Sequence, residues 1–235
     1  MLSRVRRGPD PVAVKAVASL TDPVRRSLFD AVAAAVAPLT REEAAERVGV
    51  SSRLAAFHLD KLVAAGLLAV DTAANAGRVG RRPRVYRRAA GDLQVSIPSR
   101  RPQHLARLLL QTLSDQRRGE DSVAAARRVS HASGREVGAR ERGRLRPGRL
   151  GAERALVLLR TLLEALGYET TAAEPGRLGF ATCPFHPLAD ESPELVCGMH
   201  HAYVTGLVEG LQATTLETRL VPGTDGCCVE VRATR

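Results

Sequence analysis

The stretch LTREEAAERVGVSSRLAAFHLDKLVAAG, residues 39–66, decides the fold of the N-terminal part of the chain. Thr40 is followed three residues later by Glu43, the spacing of a capping box, so a helix is expected over Arg41–Val48. Gly49 stops it, because glycine takes up left-handed backbone without a steric penalty. After Val50, Ser51 caps a further helix that runs to about Ala65 and ends at Gly66. Two helices joined by a short glycine-containing turn make a helix-turn-helix unit. On the second of them the 3.6-residue period gathers Ala55, Leu59, Leu62 and Val63 on one side, with Arg53, Phe57 and Lys61 opposite.

Working outward, Pro11–Ala18 and Pro23–Ala37 read as helices. Asp22 is the N-cap of the second and Pro23 its first residue, with Leu28, Val32 and Val36 on one face. Downstream, Leu67–Val70 reads as a strand and Arg84–Arg88 as its return. The polar segment Asp71–Pro83 between them carries Gly77, Gly80, Arg78, Arg81 and Arg82. A hairpin with a basic tip placed directly after such a helix describes a winged helix. In a DNA-reading role, Arg53 is the residue suited to a guanine edge. Ser51 and Ser52, at a helix N-terminus, suit a phosphate. Phe57 would meet a thymine methyl or pack against neighbouring helices. Lys61 lies on the same face, and Arg78, Arg81 and Arg82 would reach backbone or minor groove from the wing. His58, beside the core face, is given a structural or phosphate-binding role.

Charge and composition fit this reading. The chain has 235 residues, 44% apolar and 3% aromatic, with no Trp, so its core must be built from Ala, Val and Leu. Its net charge is +10, distributed as +8 over residues 1–100, +7 over 101–150 and −5 over 151–235. A basic front and an acidic rear imply two units with different tasks, the first suited to a polyanion such as double-stranded DNA. Met1–Arg7 is basic but runs into Gly8-Pro9-Asp10 rather than an apolar stretch. The most apolar run, Ala155–Leu166, holds Arg160 and Glu164, so neither an export signal nor a membrane span is expected. The expected location is the cytoplasm, where thiols stay reduced, and the four cysteines are not read as disulfides.

The expected architecture is mainly α with α+β. Residues 1–92 form the winged helix-turn-helix, 93–150 a basic helical connector or dimerisation segment, and 151–235 a small α+β domain. Within the connector, Val95–Pro98 is extended and His104–Leu113 is a short helix. Arg117–Gly151, rich in Arg, Gly and Ala with few large apolar residues, is helix-compatible in parts and reads as a connector, suited to touching DNA backbone, that loosens near Arg146-Pro147-Gly148. Ala152–Leu166 and Pro193–Gln212 read as helices, the latter capped by Ser192. Tyr168–Ala173, Leu178–Thr182, Thr215–Val221 and Cys228–Arg232 read as strands. No nucleophile–base–orienter set is visible, so no enzyme is expected.

All four cysteines, Cys183, Cys197, Cys227 and Cys228, fall in the last segment. Cys183 opens a Pro-containing loop after a strand, and Cys197 lies in the first turns of the long helix, where the dipole favours a thiolate. Cys227 and Cys228 start the last strand, where neighbouring side chains point to opposite faces, so one of the two is expected to join a shared site. Three convergent thiols could hold an iron–sulfur cluster with one further ligand. They could equally hold zinc, with His186, His200 or His201 as fourth donor. They could also be inert and buried.

Two resemblances bear on these alternatives. Asp22–Arg26, Leu39–Ala45, Ser51–Leu62 with Phe57-His58-Leu59, Ala65–Leu68 and Gly80–Tyr86 together resemble the ArsR-type winged-helix regulators, over about residues 20–90. Cys183-Pro184-Phe185-His186, Pro193–Cys197 and Asp225–Cys228 resemble the sensor half of the SufR-type regulators, bacterial repressors of cluster-assembly genes. That likeness implies an iron–sulfur cluster, of the 4Fe–4S type, on Cys183, Cys197 and Cys228, in a homodimeric repressor. The alternative it leaves is a regulator sensing zinc or thiol oxidation through the same cysteines.

Overall fold

In the computed structural model, residues 11–72, 82–91, 93–171, 174–221 and 227–234 are described. The chain divides between Val95 and Ser96 into two compact units.

The N-terminal unit runs α1 (Pro11–Ser19), α2 (Pro23–Ala33), β1 (Leu39–Thr40), α3 (Arg41–Val48), α4 (Ser52–Ala64), β2 (Leu68–Thr72) and β3 (Arg84–Arg88). The caps are those the sequence asks for. The Asp22 carboxylate accepts the Arg25 N–H, and Thr40 and Glu43 close the capping box. Gly49 is left-handed at φ 74°, and the Ser51 hydroxyl accepts the Leu54 N–H. Each cap satisfies an amide that the helix itself leaves unpaired. The strands form an antiparallel sheet in the order β1-β3-β2, with Tyr86 between Leu39 and Val70. Tyr86 closes a core built on Leu28, Val32, Leu59, Leu62 and Leu68. α2 is shorter than expected. It ends at Ala33, and Val36, assigned above to its buried face, is fully exposed. Pro38 accounts for this, since it disfavours helical backbone in the residue before it and cannot extend a helix itself. Arg78 and Arg81 lie outside the described residues.

The C-terminal unit runs α5 (Pro102–Asp115), α6 (Ser122–Leu145), α7 (Ala152–Ala165), β4 (Thr170–Thr171), β5 (Arg177–Phe180), α8 (Leu188–Glu191), α9 (Pro193–Gly210), β6 (Leu216–Leu220) and β7 (Val229–Ala233). The four strands form one antiparallel sheet, β4-β5-β7-β6. Leu159 and Leu163 of α7, Leu207 of α9 and Val231 of β7 are fully buried together between helices and sheet. Ser192 makes no side-chain cap to α9, contrary to expectation.

The segment read as connector is corrected most. Residues 117–151 contain the 24-residue helix α6, which packs along α9 inside the same compact unit. The two helices run parallel. A Cβ on Gly134 would meet the Tyr203 carbonyl oxygen at 2.0 Å, and one on Gly138 the Leu207 carbonyl oxygen at 2.4 Å. From the other side, a Cβ on Gly206 would meet the His131 carbonyl oxygen at 2.1 Å and one on Gly210 that of Arg135 at 2.2 Å. Gly134 and Gly138 on α6 and Gly206 and Gly210 on α9, each pair at four-residue spacing, thus line the contact. Small residues here let two backbones touch. The scarcity of large apolar side chains that suggested a linker is the signature of this contact.

Candidate nucleic-acid interface and cysteine cluster

On the N-terminal unit, α4 turns one side to the core and one to solvent. Ala55, Leu59 and Leu62 are fully buried, while Ser52, Arg53, Phe57 and Lys61 are exposed. Phe57 keeps 56% of its surface in contact with solvent, and the Lys61 Nζ sits 5.5 Å from its ring centroid. Leu54, not singled out in the sequence, shares this face. The Ser51 hydroxyl is engaged by its own helix. His58 is buried, with the Arg25 Nε–H directed at its Nδ1 over 3.5 Å, a structural placement. Beside α4, a groove of about 490 Å³ is lined by Arg41 of α3, Asp60 of α4, and Arg82 and Arg84 at the start of β3. Asp60 fixes Arg84 through a 3.0 Å ion pair. An exposed polar helix face flanked by three arginines offers side chains for base edges and guanidinium groups for phosphates.

On the C-terminal unit, all four cysteines come together. Cys183 follows β5, with its carbonyl held by the Arg100 guanidinium at 2.6 Å. Cys197 is on α9, and Cys227 and Cys228 immediately precede β7. The sulfurs form a hydrogen-bonded chain from Cys183 to Cys227, Cys228 and Cys197. The thiol of Cys227, with the Phe185 and His186 amides, directs hydrogen bonds at Cys183 and pulls its pKa down to about 6. Hydrogen bonds from Cys227 and Cys197 pull Cys228 down to about 7. Contrary to the thiolate expected at a helix N-terminus, burial, then the bond to Cys228, pushes Cys197 up to about 12. Hydrogen bonding with Cys183, then with Cys228, and burial push the Cys227 thiol up. Among the described residues, no three His, Cys, Asp or Glu side chains converge tightly enough to hold a metal ion as they stand. The sulfurs touch pairwise, and the donor chemistry is that of a soft-metal or cluster site.

The expectation that Cys228 alone of the pair faces the site is corrected. β7 begins at Val229, so neither cysteine obeys strand alternation, and Cys227 stands in the middle of the chain of sulfurs. The only advance sign was the neighbouring Asp225-Gly226, which makes the start of that strand an uncertain boundary. Of the three candidate histidines, His200 is brought to the thiols, with its Nδ1 3.4 Å from the Cys227 sulfur. His186 instead pairs with Asp190 at 3.0 Å.

Comparison with known proteins adds one finding. Residues 20–71 match the family model described as a helix-turn-helix domain. This is the region in which α2, α3 and α4 pack, and it points to a DNA-binding transcriptional regulator, a class generally not enzymatic. No curated protein and no solved structure matches the chain. Among the described residues, no helix is long and apolar enough to cross a membrane.

Proposed function

We propose that the protein is a homodimeric, cytoplasmic transcriptional repressor whose hold on operator DNA is set by an iron–sulfur cluster on its C-terminal cysteines. One observation carries the sensing half of this reading: four cysteines from three separate stretches of chain meet in one connected set of sulfurs. A bound cluster supplies electron-transfer chemistry and metal–thiolate bonds. The chain supplies the rest. Cys183 and Cys228 are already thiolate-leaning, and the Phe185 and His186 amides stabilise that charge. Cys227 and Cys197, whose thiols are pushed up, would have to lose their protons on binding. Loop, helix and strand end would be tied together, and the tie would be felt as a change in operator affinity.

DNA reading falls to α4, with Arg53 as the base-reading side chain and Arg41, Arg82 and Arg84 as backbone contacts. Two copies of α4 in a dimer match two half-sites about 34–36 Å apart. The experiment is iron and sulfide analysis of the anaerobically reconstituted full chain and its Cys→Ser variants. Cys183→Ser, Cys197→Ser, Cys227→Ser and Cys228→Ser should each lose most bound iron. Full iron in Cys183→Ser or Cys197→Ser would refute the site.

A second reading is zinc binding or thiol oxidation at the same sulfurs, favoured by the direct contact of Cys183 with Cys227. In the oxidation case hydrogen peroxide takes two electrons from the Cys183–Cys227 pair, forming one S–S bond, and leaves as two waters with one proton from the Cys227 thiol and one from solvent. Zinc without sulfide, or a disulfide without iron, would select it.

A further inference from the structure

His200 sits on α9 and is 2% exposed. Three rings enclose its imidazole. Tyr168 stacks parallel at 5.6 Å between centroids, and Phe180 and Phe185 approach edge-on at 4.7 and 5.3 Å. Its Nδ1 is 3.4 Å from the Cys227 sulfur, and its Nε2 is buried with no protein group to pair with. Burial within this cage disfavours a charge on the ring, and Nε2 has no protein acceptor that an imidazolium would need there.

A neutral imidazole carries one N–H and one bare lone pair. With the hydrogen on Nε2, a buried donor would lack a protein acceptor, which native interiors rarely tolerate. With the hydrogen on Nδ1, it points at sulfur, and what remains unpaired is a lone pair, the lesser fault. We propose that His200 is the Nδ1–H tautomer and donates an N–H···S hydrogen bond to Cys227, acting as the positioning residue for that sulfur.

The Cys227 sulfur then receives a hydrogen from His200 and passes its own toward Cys183 or Cys228. This accounts for how Cys227, outside any strand, is held facing its neighbours. The consequence for a cluster rests on the proposed function. An N–H donor to a ligating thiolate stabilises the more negative, reduced state and raises the reduction potential.

The tautomer itself is tested without metal, on the reduced full chain with ¹⁵N-labelled histidine. Long-range ¹H–¹⁵N correlation should show His200 with a protonated Nδ1 and a bare Nε2. The signal is assigned by its loss in His200→Asn or, if that variant does not fold, by ring contacts to Tyr168 and Phe185. An Nε2–H tautomer, or an imidazolium at neutral pH, would overturn the proposal. After reconstitution with iron and sulfide, His200→Asn, which keeps an N–H near the Nδ1 position, should retain the wild-type potential. His200→Phe, which keeps the ring but not the donor, should shift it lower and release iron faster to a chelator. Equal potentials in wild type and His200→Phe would overturn the bond's role in ligation. A wild type that takes up no iron would refute the cluster reading alone, and the tautomer measurement would still decide the role of His200.

Discussion

Gly134→Ala is expected to destabilise the C-terminal unit severely, although alanine is the better helix former. The added Cβ would lie 2.0 Å from the Tyr203 carbonyl oxygen, 2.9 Å from its carbon and 3.1 Å from the Leu207 nitrogen. All three atoms are α9 backbone, so no side chain can rotate aside. Ordinary carbon contacts lie at 3.4–4 Å, so α6 and α9 must separate locally by roughly 1 Å or more, and a gap of about 1 Å forfeits about a quarter to a half of each dispersion contact along the stripe. Overpacking of this kind costs about 1–3 kcal/mol, and a backbone-on-backbone clash belongs at the upper end. The alanine's own helix preference, about 1 kcal/mol, offsets only part. The net expectation is a loss of about 2 kcal/mol, or roughly 4–8 °C in melting temperature at about 2–4 °C per kcal/mol. Gly143→Ala is the control. It lies on the same helix with nothing within 4 Å of the added carbon, and it should be neutral or stabilising by up to about 1 kcal/mol. Urea denaturation followed by circular dichroism measures both. A Gly134→Ala protein as stable as Gly143→Ala would refute the close parallel packing of α6 on α9.

The other expectations follow from the same contacts. DNA affinity should fall steeply with salt, and Arg53→Ala should cost about 1–3 kcal/mol on a preferred duplex while sparing random DNA, whereas Arg84→Ala should weaken both alike; fluorescence anisotropy across a salt series reads this, and undiminished discrimination in Arg53→Ala would remove α4 as the reading helix. Light scattering should return the mass of a dimer, and a monomer mass with and without iron would exclude symmetric half-site reading. Glu230, paired with Arg177 and Arg232, has its carboxyl held down at about 2. Its folded pKa lies below the unfolded one, so its stabilisation is present above about pH 4.5 and is lost as pH falls towards 2. Acid titration of Glu230→Gln should therefore show a shallower loss of stability over that window, and an unchanged acid limb would discount the pairing.

The parts of the structure legible in the sequence are those governed by local rules. The Thr40–Glu43 box, Gly49 and the Ser51 cap each act within a few residues, so α3 and α4 stood where expected. The solvent face of α4 followed from periodicity alone. The α6–α9 contact was illegible for the opposite reason. Its glycines and alanines have meaning only against a partner some seventy residues away, and taken locally they suggest a linker. Cys227 was missed because side-chain alternation applies only inside a strand, and β7 starts one residue beyond the pair. α8, four residues long and centred on buried Ala189, carries no period to detect. His200 stood among three histidine candidates. Only the ring cage of Tyr168, Phe180 and Phe185 separates it from His186, which is half exposed beside Asp190.

The most direct test of the account compares one protein in two states on one piece of DNA. A duplex is selected from a random pool by the full chain, and its affinity is then measured anaerobically for the iron- and sulfide-loaded protein and for the same preparation stripped by a chelator, at fixed salt. The account predicts that the two states differ at least tenfold, about 1.4 kcal/mol of coupling, and that Cys183→Ser shows the stripped value under both treatments. Equal affinities for loaded and stripped wild type would contradict it.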